Sequence, residues 1–210
     1  ETVLGDLPLK MPVIDIHTVG SGGGSLARPD AGGALRVGPE SAGADPGPAC
    51  YGRGEDLTVT DANLYLGRLD PETFLGGKMK IHPERARAAV ERTARRLGLE
   101  PARLAEGVLS VADTVMERAI RVISVERGYD PRDFALLSFG GAGGMHACSL
   151  ARRLRIPTVI VPKNAGVLSA LGMLLSDVVK DYSRSVLLSG PAADPGPLVR
   201  LFDPLLEEGR

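Results

Sequence analysis

The chain has 210 residues, 43% of them hydrophobic, enough apolar material for a real core in one large domain or two small ones, which excludes a disordered chain. A formal net charge of -1 argues against nucleic acid or an anionic membrane as partner, because both usually need a clear basic excess. No apolar run approaches the ~20 residues that span a bilayer and no signal peptide opens the chain, so the expectation is a cytoplasmic protein, one that starts on Glu1 in mid-pattern as an excised domain or a processed product would.

Residues 11 to 19, MPVIDIHTV, alternate around Val13, Ile14, Ile16 and Val19 and stop at Gly20, Gly22, Gly23 and Gly24, the pattern of a strand entering a tight turn. Residues 26 to 56 concentrate glycine and proline, which excludes a helix or a long central strand and predicts a functional loop or an ordered excursion over a site. Pro83, the face Ala86, Val90, Ala94 and Leu97, and Gly98 outline a helix with its start and stop signals. A longer helix is predicted from Ala105 to Arg127, with Val108, Ala112, Val115, Ala119, Val122 and Ile123 inward and Gly128 as its stop. From Asp130 the elements alternate: a buried strand Phe134 to Phe139, a helix Gly143 to Leu154, a buried strand Thr158 to Val161, a helix Ala165 to Ser176 and a strand Val179 to Leu188. Strand, helix and strand with so short a crossover predict a parallel pair. After residue 190 comes a proline-rich tail with a short helical segment.

The clearest site signal is FGGAGGMHA, Phe139 to Ala147, where a strand ends in paired glycines and a helix starts at once. Glycine lets a ligand lie against the backbone, and the free N–H groups and dipole of a helix start favour an anion, so Gly140, Gly141, Gly143 and Gly144 are candidates for bordering a nucleotide, with His146 beside them. Taken alone, a glycine turn is more often a tight strand-to-helix turn that binds nothing. GSGGGS, Gly20 to Ser25, lacks the following helix that a dinucleotide fingerprint requires, and no GxxxxGK[ST] loop exists. Asp15 and His17, two apart on the first strand, would share a face and suit a metal, a water or phosphate, or else a local hydrogen bond. Arg36, Glu40 and Asp45 place charges on the rigid loop RVGPESAGADPGPACY, either as a site or as an Arg36 pairing with Asp45 or Glu40 that folds the loop on itself. Asp61 reads first as a helix N-cap. Cys50 and Cys148 show no metal-ligand spacing and read as reduced thiols.

Taken in order, IDIHTVGSGGGS, GGALRVGPESAGADPGPACYGRG, TVTDANLYLGRL, FLGG, AIRVISVERGYDPRDFALLSFGGAGGMHA and VLSALGMLLSD resemble blocks of the hydantoinase A/oxoprolinase family, from about Pro12 to Asp181. The resemblance implies an α/β fold: part of a ribonuclease H-like domain of the actin, sugar kinase and heat-shock ATPase superfold, with a mixed sheet and inserted helices. Residues 1–190 would form that part (12–80 strand and loop, 81–128 helical, 130–190 alternating) and 191–210 the tail. It further implies ATP and magnesium as cofactors, a small cyclic amide as substrate and a B-type subunit or domain as partner. In that scheme Asp15 and His17 are the catalytic candidates, the metal position is unassigned, and FGGAG is the adenosine-side motif. An ATP-dependent ketone carboxylase subunit would share the same blocks, and a non-catalytic assembly module is the third reading. Relatives commonly continue the motif as GPLHA where this chain has Gly144 and Met145, and the DxGGT-type phosphate turns are absent, so the chain alone is expected to be inactive and to bind ATP weakly.

Overall fold

The computed structural model describes residues 2–4, 7–9, 16–177, 179–180, 182–183, 185 and 195–209. The chain divides into two compact units, Glu1–Leu168 and Ser169–Arg210.

In the first unit, β1 (Thr2–Leu4) and β2 (Leu7–Leu9) form an antiparallel pair. The predicted strand over residues 11–19 lies partly outside the described residues, and the described remainder, from Ile16 to Val19, is irregular and exposed. The glycine- and proline-rich segment begins with structure that its composition conceals. β3 (Ser25–Pro29) and β4 (Leu35–Ser41) pair antiparallel, with Ala27 opposite Val37 and Pro29 opposite Leu35. Asp30 closes the hairpin, its carboxylate accepting from the N–H groups of Gly32 and Ala34 at 2.8 and 2.9 Å. Pro29 ends β3 and Pro39 sits in the irregular stretch of β4 between its pairings with Ala27 and Ser25, positions where proline is tolerated, so proline does not exclude strand here.

Helix α1 (Val59–Tyr65) starts on a capping box in which Thr58 is the N-cap and Asp61 the third helical residue, correcting the expectation that Asp61 itself caps. Helix α2 (Pro83–Leu97) has Pro83 in its first turn and ends on Gly98 at φ 64°, as its sequence signals predict. Helix α3 (Pro101–Ile123) starts one turn earlier than predicted because Glu100 caps it, accepting from the Arg103 N–H, and Pro101 opens it. Leu57, Val59, Ala62, Val90, Leu104 and Val108 form the core between these helices and the hairpin. Alanines at positions 86, 89, 94, 105 and 112 are also fully buried, so the helix backbones approach closely. The buried face of α3 ends at Asp113; Val115, Ala119 and Val122 are half-buried and Ile123 is exposed, unlike the uniformly inward stripe expected.

β5 (Ala135–Leu137) and β6 (Thr158–Ile160) are adjacent and parallel, joined through α4 (Gly143–Leu154), as predicted. They are not the buried strands expected. Leu136 and Val159 pack towards Ala151, Leu154 and Ile156, whereas Phe134, Leu137, Ile160 and Val161 are 47–59% exposed. One face of the pair is covered by helix and the other is bare, although parallel strands are ordinarily covered on both. In place of one mixed sheet, the described strands form three separate pairs.

α5 (Leu168–Leu175) begins at the end of the first unit, and the second unit holds the rest of it and α6 (Pro195–Gly209), the helix of the predicted tail. The strand predicted over residues 179–188 falls largely outside the described residues, and 179, 180, 182, 183 and 185 carry no strand. No described helix is long and apolar enough to cross a membrane.

Candidate nucleotide site

β5 ends at Leu137, and the chain turns through Gly140 to Gly144 into α4. The turn is fastened to β6 and to the segment after it: Ser138 N–H donates to Ile160 C=O and Gly140 N–H to Ala165 C=O, both at 2.8 Å. Gly140 adopts φ 87°, a conformation that side chains other than glycine rarely take. Gly143 is closely packed, since a methyl group there would lie 3.1 Å from Ser138 Oγ. Gly141 and Gly144 have neither reason. Their φ angles lie outside the left-handed region and a methyl group on either would meet nothing within 4 Å. α4 has no side-chain cap at its N-terminus. Met145 N–H donates to Ala142 C=O at 3.1 Å, which leaves the Gly143 and Gly144 N–H groups as those for which a helix start ordinarily lacks partners.

The first glycine cluster packs against this turn. Gly23 and Gly24 are held tightly, because a methyl group would lie 2.7 Å from Thr60 Oγ1 and from Ser41 Oγ respectively, and Gly23 faces Ala142. Gly22 meets nothing within 4 Å. Two cavities of about 260 Å³ each flank the contact. One lies between Ser21 and Gly22 on one side and Phe139, Gly143 and His146 on the other. The second brings Gly23, Gly43, Tyr51 and Gly141 together, uniting three glycine-rich segments that are remote in sequence.

His146 is 1% exposed, and its Nδ1 lies 2.7 Å from Asp113 Oδ1, while Ser149 Oγ donates to Asp113 Oδ2 at 2.5 Å. Burial pushes the Asp113 carboxyl up, but the hydrogen bonds from His146 and Ser149, with the charges of His146 and Arg153, outweigh it and hold the group below the usual carboxylate value. Nε2 of His146 has no hydrogen-bond partner among the described residues. Asp113 and Ser149 escaped the sequence reading. Their only signal is that position 113 interrupts an otherwise apolar face of α3 with a carboxylate.

The other candidates lie elsewhere. Asp15 is outside the described residues, and His17 is exposed on an irregular segment, so the shared strand face expected for the two is not seen. Arg36 pairs with neither expected acid: Glu40 bonds Arg28, which also holds Asp56, and Asp45 bonds Arg53. Asp61 is fully buried and accepts from the Ala49, Cys50 and Thr58 N–H groups and the Thr58 hydroxyl, pinning the loop onto α1. Burial foremost, and the nearby Asp61 charge, push the Cys50 thiol far up, so it is an inert core thiol, while Cys148 is exposed and free. No three His, Cys, Asp or Glu side chains gather as a cation site among the described residues.

The family model described as hydantoinase/oxoprolinase matches residues 1–182. The caprolactamase alpha subunit of Pseudomonas jessenii is 47% identical over 175 residues, covering 82% of this chain and 25% of the subunit. A 5-oxoprolinase of Saccharomyces cerevisiae is 40% identical over 206 residues, covering 91% of this chain and 16% of the enzyme. Among solved structures, the ATP-dependent caprolactamase from Pseudomonas jessenii superposes with a TM-score of 0.73 at 40% identity over 94% of this chain and 29% of that one. Nucleotide-free acetone carboxylase superposes with a TM-score of 0.68 at 35% identity over 73% and 22%. The chain thus spans a quarter or less of the length of these two curated relatives.

Proposed function

The chain belongs to the hydantoinase/oxoprolinase family, and on that premise we propose that it is the part of an ATP-dependent cyclic amide hydrolase subunit that walls one side of the nucleotide. The observation that carries this reading is the pair Gly141 and Gly144: glycines that neither backbone conformation nor a neighbouring atom requires, at an uncapped helix start. Backbone left bare in that way suits close approach of a ligand, and the free N–H groups suit its negative charge.

When bound, ATP would supply a phosphoryl group that activates the amide oxygen of a cyclic imide or lactam, making the ring carbon electrophilic enough for water. In such chemistry the protein mostly positions groups and offsets charge. Gly140, with its left-handed backbone, aims the turn; Gly141, Gly143 and Gly144 border the nucleotide; Asp15 and His17 are assigned near phosphate, metal or substrate. Magnesium would accompany the nucleotide, but the turn offers backbone donors and no ligand set for a cation, so it is not the cation's holder. A ribonuclease H-like superfold accommodates the parallel strand, glycine turn and helix, with residues 1–190 as part of that domain. A B-type subunit or domain would complete the hydrolytic machinery. The likeness to acetone carboxylase favours ATP-dependent ketone carboxylation as the second reading. ATP turnover stimulated by hydantoin or 5-oxoproline supports the first, and turnover that needs a ketone with bicarbonate supports the second.

The direct test is Gly141→Val in the full-length subunit. The added side chain starts in open space on permitted backbone, so the fold should persist while the nucleotide is obstructed. ATP affinity should fall by about ten-fold or more, which corresponds to ~1.4 kcal/mol. Wild-type affinity in a folded variant would make the turn structural only.

A further inference from the structure

Leu75 is the residue that the fold leaves unexplained. It belongs to the short turn Phe74–Gly77 and holds φ 50° and ψ 39°, a left-handed conformation that costs a leucine more than a glycine or an asparagine. Gly76 and Gly77 behind it are left-handed too, at φ 69° and 77°. Its neighbours are anchored: Tyr51, Leu69 and Phe74 pack on Cys50, Leu64, Ile81 and Ala86, and the Tyr51 and Phe74 rings lie 5.8 Å apart. Leu75 joins no hydrophobic cluster among the described residues and is 63% exposed, so strained backbone holds an apolar side chain out to solvent. Strain of this kind gathers at ligand clamps and active sites. Leu75 also lines the second cavity beside the glycine turn, and a residue that both lines a cavity and stands largely exposed lies at its mouth.

We infer that this cavity seats the ring of the cyclic amide, that the ring it accepts is uncharged, and that Leu75, standing over it, is the specificity-determining residue. The inference rests on the reading above that the substrate is a cyclic amide, and narrows it. No side chain lining the cavity carries a charge, and Leu69, Phe74 and Met145 give it apolar walls. A carboxylate on the ring would lose its water there without gaining a cation, whereas bare methylenes gain from burial. The polyphosphate has its place elsewhere: Gly143, at the helix start whose N–H groups favour an anion, lines the other cavity. At about 260 Å³ the cavity lies below the roughly 300–1,000 Å³ that encloses a drug-sized ligand, so it suits one small ring and not a nucleotide. Gly141 and Ala142 form one of its walls, the bare backbone at which a ring seated here and a nucleotide on the turn come together, as a reaction between them requires.

The experiment is a ligand-observed NMR titration of the full-length subunit, wild type and Leu75→Asn, with 2-pyrrolidone, ε-caprolactam and 5-oxoproline, beside a calorimetric titration with Mg-ATP. 5-Oxoproline is 2-pyrrolidone bearing a carboxylate, so that pair isolates the charge. Asparagine tolerates the left-handed backbone and removes the apolar side chain from an exposed position, so the fold should persist. The wild type is expected to bind 2-pyrrolidone about ten-fold or more tightly than 5-oxoproline. The variant is expected to lose about five-fold or more in affinity for both uncharged lactams, with Mg-ATP affinity unchanged. 5-Oxoproline bound as tightly as 2-pyrrolidone, lactam affinity that survives in the variant, or failure of the wild type to bind either uncharged lactam overturns the inference. Mg-ATP affinity that falls with Leu75→Asn overturns it too, by giving the cavity to the nucleotide. If the asparagine variant does not fold, Leu75→Gly, which relieves the backbone, takes its place. Wild-type ATP affinity in Gly141→Val beside intact lactam selectivity would remove the nucleotide reading and retain this one.

Discussion

The carboxylate of Asp61 receives the backbone N–H groups of Ala49, Cys50 and Thr58 and the Thr58 hydroxyl at 2.7–3.1 Å. A residue read from the sequence as a helix N-cap thus serves as the pin between the loop and α1. Replacing it by alanine strips the acceptor from three buried N–H groups. At ~1–3 kcal/mol for each buried group left unpaired, and with some of them finding other partners, Asp61→Ala should cost roughly 2–6 kcal/mol. Thr58→Ala, which removes one cap, should cost only about 1 kcal/mol. Urea unfolding of the two variants checks the ranking, and an Asp61→Ala protein as stable as Thr58→Ala would contradict the pinning role. The sequence showed that Asp61 sits at a helix start. It did not show the loop N–H groups of Ala49 and Cys50 converging on it, because a capping pattern is local and that convergence spans 11 or 12 positions. The Asp113–His146 pair, 33 positions apart, was hidden for the same reason: each residue lies in its own helix, and only the packing of α3 on α4 makes them neighbours.

Helices were legible where three signals coincided. α2 has its starting proline, its small-residue face and its closing Gly98, and α4 was bounded correctly from the glycine turn to Leu154. The β3–β4 hairpin was not legible, because its strands carry Pro29, Gly38 and Pro39, residues that count against a central strand and not against an edge. The strands β5 and β6 were placed correctly but assigned a burial they lack: an apolar run predicts what a strand needs covered, not what covers it. Among the elements, the α2–α3 contact is the one whose weight is easiest to measure. Leu104 is 0% exposed in the first turns of α3, within the cluster that includes Val90 and Val108. Leu104→Ala should lower unfolding stability by about 2–5 kcal/mol through lost burial and the cavity left behind. Leu97, only half-buried on the edge of that cluster, should lose less on the same change. Equal losses in chemical denaturation would mean that the helices repack freely and that the core is not centred where the burial pattern puts it.

At the scale of the molecule, the bare face of the β5–β6 pair and the short span of the chain relative to its relatives bear on activity together. Leu137 and Ile160 stand about half exposed at the strand ends next to the glycine turn, on strands that ordinarily lie inside a wider sheet. The described site supplies a glycine wall, an uncapped helix start and a cavity of about 260 Å³, but no cluster of acids to hold a cation. A nucleotide site of this kind depends on neutralising the polyphosphate from both sides, and charge left without N–H partners and a held magnesium ion forfeits most of the binding energy. The chain as given is therefore expected to bind Mg-ATP weakly and to leave hydantoins and 5-oxoproline unhydrolysed. Calorimetric titration of the purified chain with Mg-ATP, beside an activity assay on both cyclic amides, tests this. Millimolar or weaker affinity with no turnover agrees with a one-walled site, whereas micromolar affinity, or turnover above a protein-free blank, would place the phosphate-binding groups within these 210 residues and overturn the assignment of this chain to one wall of the nucleotide cleft.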